Sequence, residues 1–473
     1  MCYRIVWVIT YLLLYAQLEA GSYGDVYGAF PRQASMAGAV SSFVNNSSSP
    51  YYNVAGLARA NEQELLLLNN KIESNSSNNT STEPKDQQNI KSNNPDKVEN
   101  DPQKANPQST RSRFHEVSIS YNYVDPKIST NLQRRERLSE TNDHYATIGL
   151  TYDLNEIYDF NRNVRFGLNI ITPASGNILT INDQNPNVPR PIQSGAANER
   201  PTITGGLAVE VWKDHLYLGL GFTAFARGGG SILLKNVPIS PEQTTPDQQI
   251  ILQIKPIINP IFGAQFHWQK FDLGLSYRRE TFLSVDPLPA RAQTTLLGIQ
   301  LDLDIALLDL YQPKVITGGV SYRLKDNIRL AMDVNLERWS EYKLSRTKLT
   351  YNEGPQVKDT TNVRLGLEYQ WKQDISFRIG YARRPSAIGD ITGRTNLLDF
   401  DRNIYTFGSS YTITEKSFKI FSGLKKAILL DFVIDYQSWS PREISKNAPS
   451  PDNPNFSFGG KALHFGFGVT TFL

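Results

Sequence analysis

The chain has 473 residues, a formal net charge of +3 and a single cysteine, Cys2. So even a balance argues against nucleic acid as a partner, and one cysteine excludes a disulfide scaffold and a cysteine-based zinc site. Beyond the N-terminus no apolar run reaches the roughly 20 residues of a membrane helix, which excludes a polytopic helical protein. A mean hydropathy of −0.39 with 23 Tyr, 22 Phe and 32 Gly leaves one membrane option, a β-barrel with half-apolar strands. The length admits two or three domains at about 100–200 residues each, although barrels run longer as one.

Met1–Ala20 reads as a secretory signal peptide. Arg4 supplies the charge, and Ile5–Ala16 is an apolar run of 12, too short to span as a helix. Leu18-Glu19-Ala20 matches the small-residue cleavage rule in part, and an uncleaved anchor stays open as the other reading. Cleavage leaves a mature chain without cysteine, which suits an envelope compartment.

Residues 21–60 are small and glycine-rich, without clean alternation, and read as compact irregular structure with one short helix around Ala34–Phe43. They precede the first strand. Residues 61–113 read as a linker, of which 69–113 is a polar insert. Its only aliphatic side chains are Ile72, Ile90, Val98 and Ala105, too few to offset the entropy of ordering, so disorder is expected.

From 114 onward alternation takes over. Val117, Ile119, Tyr121 and Tyr123 share one parity against Ser118, Ser120 and Asn122. Leu216, Leu218, Leu220 and Phe222 face away from Tyr217, Gly219, Gly221 and Thr223, and Leu463, Phe465, Phe467 and Val469 away from His464, Gly466, Gly468 and Thr470. The pattern predicts about fourteen strands: 116–124, 145–154, 163–172, 202–212, 215–235, 248–268, 271–285, 293–324 (interrupted near Pro313), 328–343, 361–371, 375–384, 403–413, 427–438 and 461–473. Connections alternate between short turns such as Lys213-Asp214 and Gln269-Lys270 and long loops such as 173–201 and 439–460, the outer-membrane barrel pattern. The connection 414–426 breaks that rule. The last residues, Thr470-Thr471-Phe472-Leu473, make a terminal strand of the kind expected of barrels handled by the barrel-assembly machinery.

The fold class expected is therefore all-β, a 14-stranded antiparallel transmembrane β-barrel with an N-terminal hatch. Eight strands fill a barrel with side chains and sixteen leave an aqueous channel, so fourteen need a plug, and residues 21–60 are the candidate. The inward parity carries Arg165, Glu210, Arg227, Arg278, Glu280, Arg323, Asp333, Glu337, Arg364, Glu368, Arg378, Asp431 and Asp435, a mixed-sign lining. Arg227, following Phe222 and Phe225, is the candidate anchor for a ligand carboxylate.

Gly28-Ala29-Phe30, Ala34-Ser35-Met36-Ala37-Gly38-Ala39-Val40 and Asn53-Val54-Ala55-Gly56-Leu57-Ala58 together resemble the N-terminal hatch of the FadL-type long-chain fatty acid transporters. Val54 stands where that family has proline. Gln312–Leu324 with Glu337-Arg338-Trp339-Ser340, and Asn362–Tyr369 with Phe377–Tyr381, resemble late strand pairs of the same family. The resemblance implies passive, gated uptake across the bacterial outer membrane by a monomer without cofactor or metal. Its partners are hydrophobic small molecules such as fatty acids, membrane lipid and lipopolysaccharide. It further implies a gate at Asn53, Val54, Ala55, Gly56 and Leu57. Ile178, Leu179, Ile181, Leu288 and Leu297 are candidates for an apolar loop groove, and 163–172, with Gly167, is the counterpart of a kinked strand that lets substrate leave sideways.

Some members of that family carry aromatic hydrocarbons instead. A different class is a surface interaction protein, adhesin-like, using its long loops. An enzyme would need a nucleophile beside a base, and no such motif accompanies His115, His144, His215, His267 or His464. Nor do these five have metal-ligand spacing.

Overall fold

The computed structural model describes residues 23–59, 115–132, 143–174, 190–192, 201–237, 247–283, 288–294, 300–305, 310–341, 357–393, 397–414, 417, 426–451 and 453–473. The expected signal peptide, the insert 69–113 and the groove residues Ile178, Leu179, Ile181 and Leu297 lie outside them.

Fourteen strands close into one ring: β1 Glu116–Thr130, β2 Asp143–Asp153, β3 Val164–Pro173, β4 Thr202–Trp212, β5 Leu216–Val237, β6 Asp247–Trp268, β7 Phe271–Arg278, β8 Lys314–Lys325, β9 Ile328–Arg338, β10 Thr360–Lys372, β11 Ile375–Arg384, β12 Arg402–Ile413, β13 Ile428–Ile444 and β14 Phe456–Phe472. Each pairs antiparallel with the next, and β14 returns to β1 with Glu116 opposite Phe472 and Thr130 opposite Phe458. Closure removes both sheet edges.

Hydrophobic alternation and burial are inverted relative to a soluble protein. Ile119, Leu207, Leu220, Leu275, Leu365, Ile379 and Phe467 are exposed on the outer face, whereas Ser120, Thr147, Asn169, Gln265, Asp333, Arg378 and His464 are buried on the inner one. Such a surface is stable only with lipid outside. Trp212, Trp268 and Trp371 stand exposed beside the turns 213–215, 269–270 and 373–374, where an interfacial aromatic belt belongs. These turns share one rim with the less compact connections 154–163 and 414–427. The opposite rim carries the long loops.

Two stretches differ from the sequence expectation. The predicted strand 271–285 stops at Arg278. The predicted 293–324 resolves into short segments at Leu288–Thr294, Gln300–Ile305 and Leu310–Gln312 before β8, because Pro313 has no N–H to give a ladder. Strands β5 and β6 form a ribbon of 22 residues each, far longer than the roughly 9–11 residues that cross a bilayer, so its far end projects past the long-loop rim. Leu288–Thr294 pairs in parallel with that projecting end, Ala290 opposite Ile232.

Residues 23–59 contain no helix over 34–43. They form short turns of helix at Tyr23–Tyr27, Pro31–Ala34 and Ser49–Tyr52 and a 3₁₀ turn at Val54–Ala58. With so many Gly, Ser and Ala the segment cannot build an amphipathic face. Its backbone is instead satisfied by the barrel's inner wall.

Candidate functional site

The N-terminal segment lies inside the barrel and is hydrogen-bonded to it around the ring. On β1, Glu116 Oε1 accepts from Ser47 N (2.9 Å) and Ser118 Oγ shares a bond with Ser47 Oγ (2.7 Å). On β6, Gln265 Nε2 donates to the carbonyls of Ser41 (3.1 Å) and Val44 (2.9 Å). Asp333 Oδ2 on β9 accepts from the amides of Val40 (3.2 Å) and Ser41 (3.0 Å). Thr406 Oγ1 on β12 accepts from Ala37 N (3.1 Å) and donates to Ser35 O (2.8 Å). Short-helix backbone that would be unsatisfied in an apolar core thus finds its partners on polar, inward-facing strand positions.

Glycine sets how close the two can come. On eleven of the fourteen strands an inward glycine faces this segment. A Cβ on Gly263 would lie 2.2 Å from Asn53 Oδ1, one on Gly274 2.4 Å from Ser41 O, one on Gly380 2.5 Å from Ala37 N and one on Gly219 2.6 Å from Ala55 N. No real Cβ tolerates such distances. Gly318, on the outward parity, has nothing within 4 Å of the same construction. The inner glycines form a seat moulded to the hatch.

The expected gate residues sit in that seat. Asn53 is buried and caps the 3₁₀ turn, accepting from Ala55 N (3.2 Å), while its Nδ2 donates to Ser41 O (2.8 Å), Ala264 O (3.0 Å) and Leu275 O (3.3 Å). Val54, Ala55, Leu57 and Ala58 form an apolar cluster with Ala208, Tyr217 and Ile261 of the wall. Gly56 packs under Val44 O. The expected kink at the third strand is not found. β3 pairs without a bulge from Arg165 to Ile171 with both β2 and β4. Gly167 is occupied in another way, since a Cβ there would meet Leu57 Cδ2 at 2.4 Å.

Above the seat, toward the long-loop rim, the fastening changes character. Asp25 Oδ1 accepts from Arg278 Nη2 (2.8 Å) and Tyr51 OH (2.5 Å), and Arg384 Nη1 donates to Asp25 O (2.8 Å). Burial alone would push the Asp25 carboxyl up, but Arg278, Tyr51 and Arg384 outweigh it and hold it below its ordinary value. Burial pushes the Tyr52 hydroxyl up to about 12. Gln437 Nε2 donates to Val26 O (2.8 Å) and Tyr145 OH to Gly28 O (2.7 Å). Around Tyr23, Tyr27 and Phe30 an aromatic and aliphatic cluster gathers from the loops and strand ends: Ile388, Ile391, Leu398, Phe400, Trp439, Phe456 and Phe458.

The remaining sequence candidates are dispersed. Phe225 is buried on the inner face, but Phe222 stands on the outer parity, where its ring covers Gly205. Three residues along a strand reverse the face, so Phe222 does not share a site with Phe225. Arg227 lies opposite Lys255 in the projecting ribbon, and Leu288 lies in the segment that pairs beside it. Small cavities flank the hatch. One of about 60 Å³ is lined by Tyr51, Tyr52, Arg278, Asp333 and Arg364, and one of about 40 Å³ by Tyr27, Tyr52, Arg384 and Asp435. Cavities of this size hold water and not an acyl chain. Among the described residues no His, Cys, Asp and Glu cluster has metal-binding geometry. The histidines pair with other groups, as His267 does with Asp272 (2.6 Å) and His115 with Glu156 (2.6 Å).

No motif in the sequence announces the glycine seat, Gln265 or Thr406. The signal was present in the glycines recurring on the polar parity of strand after strand.

A closed, lipid-facing barrel with a plug wedged against inward glycines narrows the comparison to a few architectures. Residues 259–428 match the family model described as outer membrane protein transport protein (OMPP1/FadL/TodX). The ring has the fold of the FadL and TodX barrels. A FadL homologue of Pseudomonas aeruginosa superposes with a TM-score of 0.53 at 13% identity, covering 94% of this chain and 98% of that one. The CymD monoaromatic hydrocarbon channel gives 0.50 at 13% identity over 93% and 97%, and the P. putida toluene transporter TodX 0.50 at 11% over 94% and 98%. No curated protein matches the sequence. The chain is thus an outer-membrane, multi-pass β-barrel with the fold of hydrophobic-compound channels. The family consists of transport proteins rather than enzymes.

Proposed function

We propose that this FadL-type barrel admits hydrophobic compounds, long-chain fatty acids among them, across the outer membrane by passive diffusion gated by its hatch. The observation that carries the reading is the pairing of a glycine-moulded plug with a buried apolar cluster directly above it. An open polar porin needs neither. Each buried methylene contributes about 0.8 kcal/mol, so an acyl chain or an aromatic ring that parts the Phe400, Trp439, Phe456 and Phe458 cluster gains apolar contacts there. Since β3 is fully paired on both sides, passage begins with yielding of the hatch rather than with a standing gap in the wall. The gate is Asn53–Leu57, and Val54 replaces a proline hinge with a side chain that packs over Gly206. The related channels for toluene and monoaromatic hydrocarbons make neutral hydrocarbons the competing substrate class.

The test is uptake of labelled oleate, labelled toluene and a labelled small sugar by cells that lack their own transporter and display this barrel. Entry of either hydrophobic compound without the sugar is expected. Entry of the sugar would overturn the reading, as would exclusion of both hydrophobic compounds by a correctly assembled barrel.

A further inference from the structure

The outer face of the barrel carries a basic row that uptake does not use. Arg383, Asn403, Ser438, Lys461 and Lys127 are ladder neighbours on consecutive strands from β11 through β14 to β1. They share the outward parity toward the long-loop ends of those strands, and Arg383, Lys461 and Lys127 are exposed. Two residues closer to the middle of the wall, Tyr381, Tyr405 and Tyr436 form a parallel row. A tyrosine row below cations marks the plane of the lipid headgroups. The cations are sparsely paired. Lys461 has no hydrogen-bond or ion-pair partner among the described residues, Arg383 gives one bond, to Asn403 Oδ1 (3.1 Å), and Lys127 meets Asp125 (3.1 Å) in an exposed pair. Lys127 and Lys461 stand directly opposite each other, and like charges so placed destabilise a sheet until an anion lies between them. Tyr381, on the same face as Arg383, also lines one end of an apolar groove of about 480 Å³ that crosses the outside of the wall from β11 to β8 between Leu330, Met332, Leu365, Leu367 and Ile379. The floor of the groove is bare backbone, because Gly366 and Gly380 face inward to Met36 and Ala37.

Arginine grips a phosphate with two parallel bonds, lysine holds it as a point charge, and an apolar groove takes an acyl chain. At about 4.8 Å per strand, Arg383 on β11 and Lys461 on β14 lie three spacings apart, about 14 Å at the backbone. A single phosphodiester headgroup does not bridge that gap, whereas a disaccharide with a phosphate at each end does. We propose that this face of the wall is a specific site for the bisphosphorylated glycolipid of the outer leaflet, the lipid A part of lipopolysaccharide. One phosphate takes the Arg383 fork and the other lies between Lys461 and Lys127, relieving their repulsion. One acyl chain fills the groove, and the others lie over Tyr405, Phe407 and Tyr436, all exposed. The site is on the lipid side, away from the lumen and the hatch, so its ligand is a resident of the membrane and not cargo.

The experiment is native mass spectrometry of the full-length barrel in neutral detergent, titrated with diphosphoryl lipid A, with its dephosphorylated form and with phosphatidylglycerol. Wild type is expected to bind diphosphoryl lipid A at least tenfold more tightly than either of the others. The double substitution Arg383→Gln with Lys461→Gln removes that preference, and Lys325→Gln, on the short-turn rim, leaves it intact. Leu365→Trp, which fills the groove, weakens both forms of lipid A by at least threefold. Unheated gel mobility verifies that each variant is a closed barrel. Equal binding of the two forms of lipid A by wild type, equal binding of diphosphoryl lipid A and phosphatidylglycerol, or a preference that survives the double substitution overturns the site. Each of these outcomes leaves hydrophobic uptake standing, since the hatch and its seat take no part in the site.

Discussion

The lower and upper halves of the hatch are fastened to the same wall by different physics. Residues 31–58 add shape to their hydrogen bonds: besides the bonds from Glu116, Gln265, Asp333 and Thr406, their backbone lies directly on inward glycines. Residues 23–30 are held at arm's length by Arg278, Arg384, Gln437 and Tyr145. A close-packed contact has no partial state, since a displaced segment loses its dispersion contacts at once. A long side chain can swing and keep part of its bond. The comparison suggests that the seat sets whether the barrel is sealed, while the upper segment and the apolar cluster around it adjust to what enters.

The comparison breaks most severely if the seat is filled. Gly263→Leu puts its Cβ where Asn53 Oδ1 now lies, and overpacking of this kind costs about 1–3 kcal/mol, which the hatch avoids by leaving. Cells displaying that variant should take up a small sugar and become sensitive to large antibiotics that wild type excludes. Asn53→Ala should come next. It removes the cap of the 3₁₀ turn and three donated bonds, stranding buried carbonyls at about 1–3 kcal/mol. Amide hydrogen exchange over 41–57 should then be at least tenfold faster, with the barrel strands unchanged.

The upper segment should respond to pH. Because the folded Asp25 carboxyl titrates below its ordinary value of 3.8, it stabilises the fold above that value, and the contribution is lost as pH falls further. Protease cleavage near residue 25 should therefore rise below about pH 4 in wild type. Asp25→Asn should show the raised cleavage already at neutral pH; no difference between the two at neutral pH would remove Asp25 as a fastening. The smallest effect should come from Gly318→Ala, where the outward Cβ meets only open space and sugar exclusion should stay at the wild-type level.

Much of the barrel was legible in the sequence because strand alternation has a period of two and survives in lipid as in water. The boundaries of β4 and β11 follow directly from it. Alternation could not reveal which parity faces out, and the error at Phe222 is of that kind, since Phe222 and Phe225 lie three residues apart on opposite faces. The hatch was legible by composition and by its Asn53–Ala58 motif, but not by its helices, because its conformation is dictated by carbonyls and carboxylates of strands hundreds of residues away. Asp333, for example, binds the amides of Val40 and Ser41.

The most direct test of the central claim is planar-bilayer recording of the purified wild-type barrel beside one lacking residues 23–59. The account predicts a silent wild type and a steady conductance once the hatch is removed, with both proteins showing the gel mobility of closed barrels. A wild type that conducts steadily, or a closed barrel without its hatch that stays silent, would contradict it.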